Sequence, residues 1–240
     1  MGIIHHIYLQ FSEEGHYRSF EHVRRGKNGV NALYAIFCFL LLPFLVPMGV
    51  HAQTFNVDSI KEGDLLFAYV DDSNAITSVT QGIGDMAIDH VGILAGKPGQ
   101  WTVIEAVHKG VQEIPLDSFI CHHIGKSGHP NIIIGRVATP IDIPASIERA
   151  RKQLGKPYDF NFMPDDKEFY CSELVQKSYV DGQGNLIFHP IPMSFHDKNG
   201  NITLYWQEYY ARQGLEVPEG KDGSNPGDLS RNPVLKIINQ

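Results

Sequence analysis

Cysteine is scarce in this chain: 240 residues hold three, Cys38, Cys121 and Cys171. Only Cys121 and Cys171 lie beyond residue 52, and one pair is a poor framework for so large a domain, which points to a free thiol. Positive charge is also short. Residues 53–240 carry 16 Lys plus Arg against 24 Asp plus Glu, a net of −8 with His neutral, which disfavours a nucleic-acid partner. The apolar run over residues 32–46 covers 15 residues and is interrupted by Pro43, against the roughly 20 that a membrane helix needs. Phosphate-cradling glycine motifs, internal repeats and low-complexity tracts are missing, so no cofactor is indicated.

What is present begins with a leader. Arg24, Arg25 and Lys27 stand before that apolar run, the order of a secretory signal. Val50-His51-Ala52 places cleavage after Ala52. The expected division is an N-terminal extension and signal peptide over residues 1–52 and one folded domain over 53–240. Export to the periplasm or the exterior follows, with an uncleaved signal anchor as the alternative and the one route to a membrane. Cys38 lacks the small residues that a lipoprotein signal places before its cysteine. The hydrophobic share of 42% with 20% charged residues suffices for one sizeable core.

Along the domain, β-rich runs recur. Asp64-Leu65-Leu66-Phe67-Ala68-Tyr69-Val70 reads as a first strand. Residues 90–95 and 101–107 form two more around Gly96-Lys97-Pro98-Gly99-Gln100, which has hairpin-loop chemistry. Residues 111–116 and 132–137 follow, separated by a Gly-, His- and Lys-rich loop over 121–131, giving a sheet of about five strands. Pro144 opens a helix with Ile147, Ala150 and Leu154 on one face, stopped by Gly155 and Pro157. A second helix starts at Cys171, with Glu173 in its first turn and Leu174, Val175 and Ser178 sharing a face. A short helical piece lies around residues 204–213.

A thiol attacks as thiolate, and a helix N-terminus with a nearby imidazole favours that form. Cys171 has the helix and needs a base. Of the seven histidines beyond residue 52, only His90 begins a strand core. If the hairpin centres near Lys97 and Pro98, partner numbers sum to about 195, which sets His90 opposite Glu105 on the same face. A nucleophile, a base and an orienting carboxylate would then be assembled. The pairing depends on register, because a slip of one residue sends one partner to the other face. Taken singly, Glu105 reads as an edge carboxylate and His90 as a strand-end histidine. His122, His123 and His129 sit in a polar loop without the spacing that fixes metal geometry, and no metal is expected.

The segments Gly63-Asp64-Leu65-Leu66-Phe67, Asp89-His90-Val91-Gly92-Ile93, Val103-Ile104-Glu105-Ala106, Gly155-Lys156-Pro157-Tyr158-Asp159 and Tyr170-Cys171-Ser172-Glu173-Leu174 resemble permuted papain-like amidases of the NlpC superfamily, YiiX-like branch. The resemblance implies an α+β, circularly permuted papain-like fold, with a helix bearing the nucleophilic cysteine packed on an antiparallel sheet bearing the histidine. It spans roughly residues 60–180; the segment from Gly182 onward, with Trp206, Tyr209 and Tyr210, matches no usable motif and is expected to shape the substrate cleft. Unpermuted relatives place the cysteine first, whereas here His90 precedes Cys171 by 81 residues. By resemblance Cys171 is the nucleophile, His90 the base and Glu105 the orienting group. The Cys171 amide is an oxyanion donor, and Tyr158 and Ser172 border the oxyanion or substrate site. For Tyr158 a helix-packing aromatic is an equal alternative.

The resulting expectation is an exported cysteine amidase or peptidase acting on peptidoglycan stem peptides, or on a small peptide or N-acyl amide. Two other classes stand beside it. One is a lipid acyl hydrolase or acyltransferase like the lecithin:retinol acyltransferase-like relatives, which an apolar cleft would favour. The other is a non-catalytic module that binds cell-wall peptides.

Overall fold

Runs of Leu, Ile, Val and Phe that can be buried on both faces account for most strands of the computed structural model, which describes residues 55–238. The order is β1 (Leu65–Tyr69), β2 (Ile88–Lys97), β3 (Gln100–Val107), β4 (Gly110–Pro115), α1 (Leu116–His122), β5 (Ile132–Val137), α2 (Ile143–Arg151) and α3 (Cys171–Ser178). After these come β6 (Ile191–Pro192), α4 (Leu204–Ala211), β7 (Asp222–Gly223), α5 (Pro226–Ser230) and β8 (Leu235–Ile237). The main sheet is antiparallel, in the order β4-β3-β2-β1-β5-β8. It has six strands, one more than the sequence suggests, because the edge pairing of the three-residue β8 with β5 leaves no periodic signature. The expected leader and cleavage point fall outside the described residues, among which no helix is long and apolar enough to cross a membrane. Both described cysteines are free thiols, Cys121 exposed and Cys171 buried.

Each face of the sheet carries its own apolar layer. On one, Leu65, Phe67, Ile93 and Ile104 pack with Ile147 and Ala150 of α2 and Leu174 and Val175 of α3. On the other, Leu66, Leu94, Val103 and Ile134 pack with Leu116 and Phe119 of α1. Helix α2 starts one residue before Pro144, capped by the Asp142 carboxylate on the Ala145 N–H at 2.9 Å. It ends at Arg151, and Leu154, expected on its buried face, is instead exposed. Helix α1 occupies a stretch read as strand end and loop. Its Leu116 and Phe119, three apart, put a buried stripe on β3 and β4.

The shared motifs acquire physical reasons here. Asp64 is buried and receives a forked ion pair from Arg136 of β5, with Nε–Oδ1 and Nη2–Oδ2 both at 2.7 Å. The preceding Gly63 has φ +83° and offers its carbonyl to the buried Tyr179 hydroxyl at 2.8 Å, tying β1 to the residue that follows α3. Asp64 is thus the clasp between two strands.

Candidate active site

A bulge sets the histidine. On β1, Ala68 pairs with His90 but Tyr69 pairs with Ile88, so Asp89 is the extra residue in β2, a device that re-aims the neighbouring side chain. The Asp89 carboxylate is held by the Asn74 amide at 2.7 Å. Gly92 completes the motif for steric reasons, since a Cβ there would lie 2.4 Å from Val103 Cγ1.

The β2–β3 ladder runs from Lys97↔Gln100 to Ile93↔Ile104, with partners summing to 197. The expected register is therefore off by two residues, which keeps every side chain on its face. His90 and Glu105 lie past the last pair and meet through their long side chains, Nε2 to Oε2 at 2.7 Å. The other carboxylate oxygen accepts the Gln112 amide at 2.8 Å from the directly opposed position on β4. Glu105 is almost fully buried, so both oxygens are spent on orienting partners. Gln112 was not legible as a site residue, although its place opposite Glu105 across the β3–β4 turn gave the signal.

Cys171 is the first residue of α3, after Tyr170 in extended conformation, and is 4% exposed. Its side chain is near enough to His90 to interact with it electrostatically. With Nε2 committed to Glu105, Nδ1 is the ring nitrogen left to exchange a proton with the thiol. Burial opposes a charge on His90, but its interactions with Cys171 and Glu105 hold its pKa well above 6.5. For Glu105 burial pushes upward, yet the His90 contact and the Gln112 bond bring the net shift below the usual carboxylate value.

A second imidazole joins them. His123, at the end of α1, stacks on His90 with centroids 5.4 Å apart and lies 4.6 Å from Phe119. Burial, and then the neighbouring His90 charge, push its pKa down to about 3, so its ring is neutral across the working range. The loop triad of His122, His123 and His129 is replaced by another grouping. The ligand atoms of His90, Glu105 and His123 all lie within 4.8 Å of one another.

Other expected residues are placed as follows. Tyr158 and Ser172 both line a cleft that opens beside Cys171. Ser172 is fully buried and its hydroxyl accepts from Ser224 at 3.1 Å, so its side chain serves the wall. His189 is exposed and His196 pairs with Glu219 at 3.1 Å. Of the cleft's other walls, Met193, Phe195 and Trp206 come from the segment after Gly182 that was expected to shape it, whereas Phe162 was missed.

The family described as permuted papain-like amidase enzymes, YaeF/YiiX, C92 family, matches residues 59–239. Uncharacterized protein YiiX of Escherichia coli (strain K12) is 35% identical over 98 residues, which cover 40% of this chain and 46% of the relative. The chain thus matches about half the length of that relative. A crystal structure of metalloprotein yiiX from Escherichia coli O157:H7 superposes with TM-score 0.58 and 26% identity, over 74% of this chain and 96% of that one.

Proposed function

The chain belongs to the permuted papain-like amidase family, and from that premise we propose that it hydrolyses an amide through a Cys171 acyl-enzyme. The observation that carries the reading is the 2.7 Å bond that locks Glu105 onto His90, whose ring interacts electrostatically with the Cys171 side chain.

The proposed steps follow from these contacts. The Cys171 thiolate adds to the carbonyl carbon, forming a C–S bond while the carbonyl electrons move to oxygen. First-turn N–H groups of a helix have no intrahelical partner, so the Cys171 amide can donate to that oxyanion, with Tyr158 beside it. The imidazolium of His90 gives its Nδ1 proton to the nitrogen as the C–N bond breaks. Neutral His90 then takes a proton from water as the new C–O bond forms, and collapse expels the thiolate and releases the acid. Glu105 holds the tautomer and the ring plane throughout.

Mixing the protein with p-nitrophenyl acetate and digesting it should yield an acetyl adduct at Cys171. Labelling confined to the exposed Cys121 would contradict the assignment. A peptide-binding module without chemistry would gain nothing from a buried glutamate locked onto a histidine at the start of the thiol's helix. Export of the protein is a further proposal, resting on the leader pattern.

The solved relative is described as a metalloprotein. In this chain His90, Glu105 and His123 supply two nitrogens and one oxygen within 4.8 Å of one another, a donor set that suits zinc. His90, Glu105 and His123 would hold a divalent ion there, which would supply Lewis-acid charge and take the His90 ring out of proton transfer. Zinc should therefore slow iodoacetamide labelling of Cys171, and isothermal titration should detect its binding. His123→Phe, which keeps the stacked ring, should weaken both effects at least tenfold. Unchanged zinc binding in that variant would remove His123 from the ligand set.

A further inference from the structure

We infer that Asp89 is a positioning residue for the reaction: through Asn74 its carboxylate fastens the turn over residues 74–80 to the strand bulge that carries His90, so that the base and the segment beside the thiol are set as one piece. The inference deepens the amidase reading and rests on it. On β1, Ala68 pairs with His90 and Tyr69 with Ile88, and the ladder between β2 and β3 stops at Ile93. Asp89 thus has no opposite residue in either register, and its placement rests on what its side chain meets. That is the Asn74 amide, which donates to Asp89 Oδ2 at 2.7 Å. A charged acceptor makes this a strong bond.

Asn74 is the hub of the turn. Its Oδ1 accepts the Ile76 and Thr77 N–H groups, both at 3.0 Å, and its own N–H donates to Thr77 Oγ1 at 2.8 Å. Its carbonyl accepts the Ser78 N–H at 2.9 Å. This is the reciprocal cap of a helix start, closed here on a single turn. With Oδ1 spent on two donors, Nδ2 is the end of the amide left to face outward, and it meets Asp89. The rest of the turn reaches the site. The Ala75 carbonyl accepts the Trp206 indole N–H at 3.1 Å, the Ile76 carbonyl accepts the Val79 and Thr80 N–H groups at 3.1 Å, and Ile76, Val79 and Thr80 stand near Cys171. One turn is too short to hold its own shape, so its pose depends on its anchors, and the Asp89 anchor lies next to the base. A single bond therefore joins the residue before His90 to the segment beside the nucleophile. Its loss frees the bulge that aims His90, and a displacement of about 1 Å in a reacting group costs on the order of 10²-fold in rate. The two carboxylates near the base thus divide the work: Glu105 holds the ring, and Asp89 holds the chain that carries it.

The test reads iodoacetamide labelling of Cys171 at pH 6 in protein carrying Cys121→Ser, and beside it the emission of Trp206 in protein that also carries Trp101→Phe. Circular dichroism checks the folding of each variant. Asp89→Ala is expected to slow labelling at least about tenfold and to shift the Trp206 emission, because the base and the turn lose their common anchor. Asn74→Asp, which sets two carboxylates face to face, should do the same. Exchanging the pair, Asn74→Asp with Asp89→Asn, again puts an amide donor opposite a carboxylate, and the carboxylate at position 74 still accepts the Ile76 and Thr77 N–H groups. Labelling should then return to within about threefold of the rate before the exchange, and the emission should return with it. Unchanged labelling in Asp89→Ala would overturn the inference. So would an exchanged pair that labels no faster than Asn74→Asp alone, since the loss would then be owed to the Asp89 charge itself or to general damage. A change in one readout without the other would overturn it too, by showing that the turn and the base are set independently. If Asp89→Ala fails to fold, Asn74→Asp and the exchanged pair decide the question by the same criteria. Alkylation requires no turnover, so this failure is separate from failure of the acyl-enzyme reading, which the acetyl adduct at Cys171 decides.

Discussion

Replacing His90 with alanine is expected to lower amide hydrolysis by about 10⁶-fold, the scale on which a nucleophile and its base fail together. The variant loses the proton donor for the leaving amine and the cation that favours a thiolate at Cys171. Cys171→Ala should fall to the same floor, and the double variant should be no worse than either single one, because the two side chains act as one unit. Additive losses would mean that the two residues serve different steps. The α3 helix is packed through Leu174 and Val175, so folding should persist and thermal melting can check it.

Glu105→Ala is expected to cost about 10²-fold in kcat, with little change in KM, because the carboxylate touches His90 and Gln112 but does not line the cleft. The milder Glu105→Gln keeps a polar partner and changes the pH profile instead. Burial works against the His90 charge, and Glu105 is one of the two groups that overcome it. Removing its negative charge lowers the pH at which the imidazolium loses its proton, so the alkaline limb of the rate profile should move to lower pH. A limb that stays in place would show that Glu105 orients the ring without stabilising its charge. A rise in KM at constant kcat would place Glu105 in substrate binding instead.

The parts of this site that were legible in the sequence are those encoded over short spans. Cys171 stands out because a helix pattern starts on it, and His90 because a strand does. The pairing with Glu105 was found from a hairpin centre off by one position, which shifts the register by two residues; the even shift preserved the face, and the bulge at Asp89 does the final aiming. Helix α1 escaped because it covers just Leu116–His122 between a strand and a turn-rich loop, too short for periodicity to declare itself. Its Leu116, Phe119 and Ile120 spacing after Pro115 was the available signal. With α1 unseen, His123 could not be placed against His90. The cleft was legible only as a contribution of the C-terminal segment, because Val79, Phe162, Met193 and Trp206 meet through tertiary packing that no local pattern encodes. Asp64 and Asp159 show the converse, motif residues whose work is to hold a strand pair and a loop.

The most direct test of the Cys171–His90 pair is the rate of iodoacetamide labelling at pH 6, measured with Cys121→Ser to silence the exposed thiol, with and without His90→Ala. The account expects fast labelling of Cys171 that drops at least about tenfold when His90 is removed. Equal rates in the two proteins would contradict it, leaving a buried thiol whose reactivity owes nothing to the histidine beside it.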